Sequence, residues 1–152
     1  MKKILWATDF STHARDAGRQ ALECAACSEG PIDVLTVVAP DELEAPALDV
    51  PDPFIPEDAV HEAERQLEDE NADGIRAELA AEASFLTDAG VGVSLHVRAG
   101  VPADEIVRAA AELGTTLIVM GSHGRRSIEE LLLGSTVEGV TKHARCPVLV
   151  VR

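Results

Sequence analysis

Apolar and polar positions follow two rhythms along this chain, and their alternation marks out its elements. Residues 3–8, "KILWAT", are β-formers closed by Asp9 and predict a buried first strand. Ser11 or Thr12 caps a predicted helix running to about Cys27, with Ala14, Ala17, Ala21, Leu22, Ala25 and Ala26 on its inner face. "EGP" breaks that helix, and "IDVLTVVA", 32–39, reads as a second strand. Residues 40–56 hold five prolines and almost no periodicity, which predicts a long acidic loop. The helical period returns from Glu57 to about Ala89, with a break expected near Asn71–Gly74 and Gly90 as a left-handed cap.

The second half continues the alternation. "VGVSLHVR", 91–98, alternates as a strand does. Pro102 stands near a helix start, apolar residues follow at 106, 107, 110 and 113, and Gly114 is the stop. "TTLIVM", 115–120, predicts a fourth strand, Ser135 caps a helix through His143, and "CPVLVVR" closes the chain as a fifth. The order predicts a single α/β domain over residues 1–152, a Rossmann-like, five-stranded, mostly parallel sheet with helices on both faces. Ligands bind such sheets at the carboxyl ends of strands, where the winding switches direction. That rule selects the loop after strand one, with Asp9, and the loop after strand four, with Gly121. If those strands are neighbours, both loops face one crevice.

Composition narrows the function classes. The longest apolar runs fall far short of the ~20 residues a membrane span needs. At the N-terminus, "MKKILWATDF" loses its apolar run at Thr8 and Asp9, too soon for a signal peptide, so a cytoplasmic location is expected. The net charge of −14 repels nucleic acid and anionic membrane alike. Only three of the thirteen basic residues are lysines. That bias suits a halophilic source, although an ordinary acidic cytosolic protein fits the charge equally well. An odd count of three cysteines argues against a disulfide framework, and "CAAC", with Cys24 and Cys27 inside the first helix, reads as buried small side chains in preference to a redox pair or a zinc site.

The chemistry concentrates in "VMGSHGRRSIEELLLGSTVEGV", residues 119–140. Gly121 and Gly124 lack a Cβ, so the chain turns sharply there and offers consecutive N–H groups to an anion. Gly134 permits a second close approach before the helix opened by Ser135, which adds N–H donors, a positive dipole end and the hydroxyls of Ser135 and Thr136. The predicted result is a two-part phosphate cradle. No Walker loop occurs, and no dinucleotide fingerprint follows strand one.

The pattern G-x2-G-x9-G-[ST] resembles the signature of the nucleotide-binding branch of the universal stress protein family. The likeness extends through "KKILWATDFS", "VPADEIVRAAAELGTTLIVMGSHG" and "LLLGSTVEGVTKHARCPVLVV", and is weakest in the proline-rich loop and the helix after it. The resemblance implies an adenine nucleotide α-hydrolase-like fold and an ATP site, with AMP or another adenine nucleotide as alternatives. By that resemblance Ala7, Thr8 and Asp9 contact adenine and ribose, Val37 lines the adenine pocket, and Met120 and Gly121 approach the ribose. Ser122, His123 and Arg125 belong to the same loop. Gly124, Gly134, Ser135 and Thr136 would hold the phosphates, with Val137 beside them.

Arg125 and Arg126 offset repulsion of ATP or stand as solvated loop arginines. Bound Mg²⁺ or Mn²⁺ would relieve the same repulsion, though no carboxylate is identifiable as its ligand. No nucleophile, base and acid assemble around His123, so no catalytic residue is assigned. The other histidines, His13, His61, His96 and His143, form no ligand cluster. The leading expectation is an ATP-binding regulatory module of stress response; a slow ATPase or autophosphorylating protein and a nucleotide-free interaction protein remain open. The apolar last strand, "PVLVVR", is an edge that predicts a two-fold homodimer, which the family resemblance also implies.

Overall fold

The computed structural model describes residues 2–26, 30–40, 57–124 and 133–152. Five strands form one sheet: β1 (Ile4–Ala7), β2 (Ile32–Val38), β3 (Val93–Ala99), β4 (Leu117–Gly121) and β5 (Val148–Val151). Their spatial order is β3-β2-β1-β4-β5, and every pairing is parallel. The expected α/β fold is therefore present, with a sheet wholly rather than mostly parallel. The winding reverses between β1 and β4, which pair directly from Ile4↔Leu117 to Ala7↔Met120. The condition for a shared crevice is met.

The helices are α1 (Thr12–Ala25), α2 (Glu57–Glu82), α3 (Ser84–Asp88), α4 (Pro102–Leu113) and α5 (Ser135–His143). Alternate strand residues point to opposite faces, so β1 divides its side chains between two cores. Ile4 and Trp6 join Ala17, Ala21 and Ala25 of α1, together with Leu79, Ala83 and Leu86. Leu5 and Ala7 join Ile106 and Ala109 of α4 and Val137 and Val140 of α5 on the other side. Burying the central strand on both faces explains its uninterrupted apolar run.

Several local signals act as the sequence suggests. The Ser11 side chain accepts a hydrogen bond from the Ala14 N–H at 3.2 Å, satisfying a donor that the helix cannot pair internally. Gly114 adopts a left-handed φ of 65° at the end of α4, and Gly90 one of 79° after α3. The helix break differs: it falls at Ala83, between α2 and α3, and not at Asn71–Gly74. Gly74 lies inside α2, where a single glycine lowers helix propensity without breaking the helix, and a β-carbon on it would meet nothing within 4 Å. Ala26 is exposed at the end of α1 rather than inward-facing. Cys24 packs partly buried against the first core, as the apolar reading of "CAAC" expects, while Cys27 and the loop 41–56 lie outside the described residues. Partial burial pushes the Cys146 thiol up, against a smaller lowering from a backbone hydrogen bond with Ile118. Among the described residues, no helix is long and apolar enough to cross a membrane.

One contact sets how closely α1 approaches the sheet. The Trp6 indole N–H donates to the Ala14 carbonyl at 2.9 Å, and its six-membered ring lies under Gly18. A β-carbon at position 18 would sit 2.5 Å from Trp6 Cζ2. On its other side the indole meets Phe85 edge-on, with ring centroids 5.7 Å apart. Gly18→Ala should therefore cost about 1–3 kcal/mol through overpacking, despite the better helix propensity of alanine. Urea unfolding of both proteins measures this, and an unchanged midpoint would contradict it.

Candidate functional site

The site forms where β1 and β4 end. Thr8 follows β1: its N–H donates to the Leu35 carbonyl at 2.9 Å, and its hydroxyl accepts from the Phe10 N–H at 3.0 Å. Phe10 adopts φ 65°, a conformation that non-glycine residues rarely take. The turn is held by Asp9, whose Oδ1 accepts from the Ser11 N–H at 3.1 Å. The same carboxylate reaches the glycine loop, because a β-carbon on Gly124 would lie 2.7 Å from Asp9 Oδ2. Thus Asp9 and Gly124, distant in sequence, share one wall of the crevice.

The three signature glycines do different work, and none has a left-handed φ. Gly121 is the last residue of β4, paired with Val151, and not a turn. Its missing Cβ admits the start of α1, since a β-carbon there would sit 2.7 Å from the His13 carbonyl carbon. Gly124 leaves room for Asp9. Gly134 is different, because a β-carbon on it would meet only ordinary contacts: Ser122 O at 3.5 Å, His123 Cα at 3.7 Å and Gly124 N at 3.9 Å. Neither backbone strain nor crowding demands a glycine there.

Gly134, not Ser135, is the N-cap of α5, with φ −63° and ψ 152°. Ser135 is the first helical residue because the Gly134 carbonyl already accepts the first helical bond, from the Glu138 N–H at 3.0 Å. Glycine has no side chain with which to cap the helix. A serine, threonine or aspartate at position 134 would turn its oxygen onto the N–H groups of the first turn. Glycine leaves those donors, and the positive end of the helix, facing the gap toward Gly124. Backbone donors at a helix start are the kind of group that binds phosphate oxygens.

The remaining predicted residues differ in exposure and in what they pack against. Ser135 is exposed, whereas Thr136, His123 and Asp9 are half-buried. Ala7, Met120 and Val137 point their side chains into the second core, so only their backbone groups are available to a ligand. Val37 packs partly buried on that core, in register with Arg98 of β3. Arg98 is committed elsewhere: it pairs with Glu112 and with Glu105, at 3.6 Å to the latter. The hydrogen bond from Arg98 holds the Glu112 carboxyl below its usual range, and the guanidinium is raised in turn. Arg125 and Arg126 lie outside the described residues.

Two features escaped sequence reasoning. His13, in the first turn of α1, meets His123 with ring centroids 5.5 Å apart. Ser122 is fully buried, with its Oγ 2.9 Å from His123 Nδ1. Neighbouring hydroxyl and imidazole resemble a nucleophile–base pair, but burial closes the serine to an incoming group. No group of three metal-ligating side chains assembles among the described residues.

Comparison with known proteins decides the family. The universal stress protein family profile matches residues 1–152. The chain belongs to the universal stress protein family. Universal stress protein MJ0577 of Methanocaldococcus jannaschii is 32% identical over 99% of this chain and 94% of its own length. The solved structure of MJ0577 superimposes with a TM-score of 0.77 over the same shares of the two chains, 31% identical. A universal stress protein solved in complex with cAMP shares the fold at TM-score 0.64, with 22% identity over 99% of this chain and 96% of that one. One from Archaeoglobus fulgidus in complex with dAMP does so at 0.57, with 21% identity over 100% and 98%.

The glycine geometry makes separable predictions for the free protein. Gly121→Ala should lower stability by about 1–3 kcal/mol, because its β-carbon meets backbone rather than a movable side chain. Gly134→Ser should leave stability equal or higher, since serine is a favoured N-cap and its β-carbon fits. Thermal melts of the two variants beside the wild type test this, and a destabilised Gly134→Ser protein would refute the reading of an open cradle.

Proposed function

We propose that this protein is an ATP-binding regulatory module of the universal stress type. The observation that carries the proposal is the uncapped start of α5 facing the Gly124 loop. A helix start without a side-chain cap, at a position where a capping residue would fit, is a set of donors kept for an anion. Asp9 beside Gly124 supplies an acceptor for a ribose hydroxyl, and Val37 an apolar wall for the base. In this reading Ala7, Thr8, Met120 and Val137 contribute backbone groups, Gly121 approaches the ribose, and Gly124, Gly134, Ser135 and Thr136 hold the phosphates. Two relatives of the same fold hold cAMP and dAMP, in keeping with an adenine ligand. Mg²⁺ or Mn²⁺ would enter bound to the phosphates, reducing the repulsion from a chain of charge −14. Binding is favoured over hydrolysis, because the Ser122 hydroxyl beside His123 is buried and closed to an incoming group. We place the protein in the cytoplasm, where ATP is available to it.

Calorimetry with Mg-ATP tests the reading. Gly134→Ser should bind at least roughly tenfold more weakly than the wild type while staying folded, because its hydroxyl competes for the same N–H groups. Equal affinity, or a wild type that binds no adenine nucleotide, would overturn it.

We also propose a homodimer through β5. The Pro147 and Val151 carbonyls accept from β4, at Ile118 N–H and Ser122 N–H, so the backbone groups of Val148 and Val150 face outward. An apolar edge with such unpaired groups favours pairing with its own copy. Val150→Pro removes an outward N–H and should shift sedimentation from dimer to monomer. A wild-type monomer at micromolar concentration would contradict the pairing.

A further inference from the structure

Among the described residues four have a positive φ: three are glycines, Gly90, Gly100 and Gly114, and the fourth is Phe10. A φ of 65° crowds the β-carbon and is a marked outlier for a bulky side chain, so glycine would hold this turn with less strain. What phenylalanine adds is an apolar side chain. Phe10 is half-buried and packs against the first core, the one built on Ile4, Trp6 and α1. Local bonds tie the chain on either side of it. The Phe10 N–H donates to Thr8 Oγ1 at 3.0 Å, and the Ser11 N–H donates to Asp9 Oδ1 at 3.1 Å. The second bond spans Phe10, so it holds only while residue 10 keeps its φ.

We propose that Phe10 is a positioning residue for the nucleotide site: its ring, rooted in the first core, holds the turn of residues 8–11 in the conformation that sets Asp9 beside Gly124. This deepens the nucleotide reading above and rests on it. Asp9 keeps Oδ1 on the Ser11 N–H, while its Oδ2 lies 2.7 Å from the place of a Gly124 β-carbon. One carboxylate thus ties its own turn and borders the glycine loop, and a change of φ at residue 10 shifts it relative to that loop. A site already in its binding conformation loses no affinity to ordering, whereas one that visits it part of the time binds weaker in proportion. The strain at Phe10 accompanies a preformed turn, and burial of the ring offsets it.

Hydrogen exchange, thermal melts and Mg-ATP calorimetry on three variants test this. Phe10→Gly removes strain and anchor together, Phe10→Ala removes only the anchor, and Phe10→Leu keeps an apolar anchor. In the nucleotide-free protein the Ser11 amide should exchange faster in Phe10→Gly than in the wild type, with the β1 amides unchanged. Phe10→Gly should melt above Phe10→Ala, the reverse of the usual order, because alanine is strained at positive φ. Both should bind Mg-ATP roughly three- to tenfold more weakly, as a turn correctly set about a tenth to a third of the time would. Phe10→Leu should stay within about twofold of the wild type, since its side chain refills the same place. A merely structural Phe10 would make affinity follow melting temperature, so that Phe10→Gly binds better than Phe10→Ala. That outcome would overturn the proposal, as would wild-type affinity or unchanged Ser11 exchange in Phe10→Gly, or Phe10→Gly melting below Phe10→Ala. If Phe10→Ala fails to fold, Phe10→Gly and Phe10→Leu decide alone. A wild type that binds no adenine nucleotide would overturn the nucleotide reading and the site role with it, leaving Ser11 exchange to show whether Phe10 holds the turn.

Discussion

The parallel pairing of β1 with β4 is the constraint on which everything else depends. It joins two strands more than a hundred residues apart and places the reversal of winding between them. Helices cross to opposite faces on either side of that seam, and open α/β sheets bind ligands at the carboxyl ends of strands at such a reversal. Asp9 from one strand end and Gly124 beyond the other then come within van der Waals reach. The start of α5, tied to Ser122 by the Gly134 N–H, supplies the third wall. Weakening that pairing would dissolve the crevice even if every loop kept its local shape.

A second tier of contacts sets distances rather than topology. Trp6 under Gly18 brings α1 close to the sheet, and Gly121 lets the first turn of that helix rest on β4. Both are places where a missing methyl group fixes the spacing between layers. The strained Phe10 backbone belongs to the same arrangement, because it returns the chain from β1 into α1 while leaving Asp9 turned to the loop. Strain at a binding turn is sustained when surrounding contacts over-determine it, and Thr8, Asp9 and Ser11 all contribute such contacts here.

Much of this was legible in the sequence wherever the signal was local. The apolar runs, Ser11 as a cap, and Gly90 and Gly114 as left-handed stops depend on neighbours in the chain, and the fold followed from their order. The glycine motif and Asp9 were legible as a candidate site, because strand exits are where such sheets bind ligands, and the structure brings Asp9 beside Gly124. Signals that depend on distant partners were not. Gly121 reads as a turn but serves packing against His13, and Gly134 rather than Ser135 caps α5. His13 looks isolated until α1 folds back over β4 beside His123. The helix break likewise moved to Ala83, where tertiary packing rather than the Asn71–Gly74 sequence sets the boundary.

The central claim is that an adenine nucleotide lies between the Gly124 loop and the first turn of α5. Backbone amide shifts followed by NMR during titration with Mg-ATP test it most directly. The account predicts saturable changes concentrated at Asp9, Gly121 to Gly124 and Gly134 to Val137, with little change along α2. Changes that cluster elsewhere, or no saturable change at millimolar ATP, would contradict it.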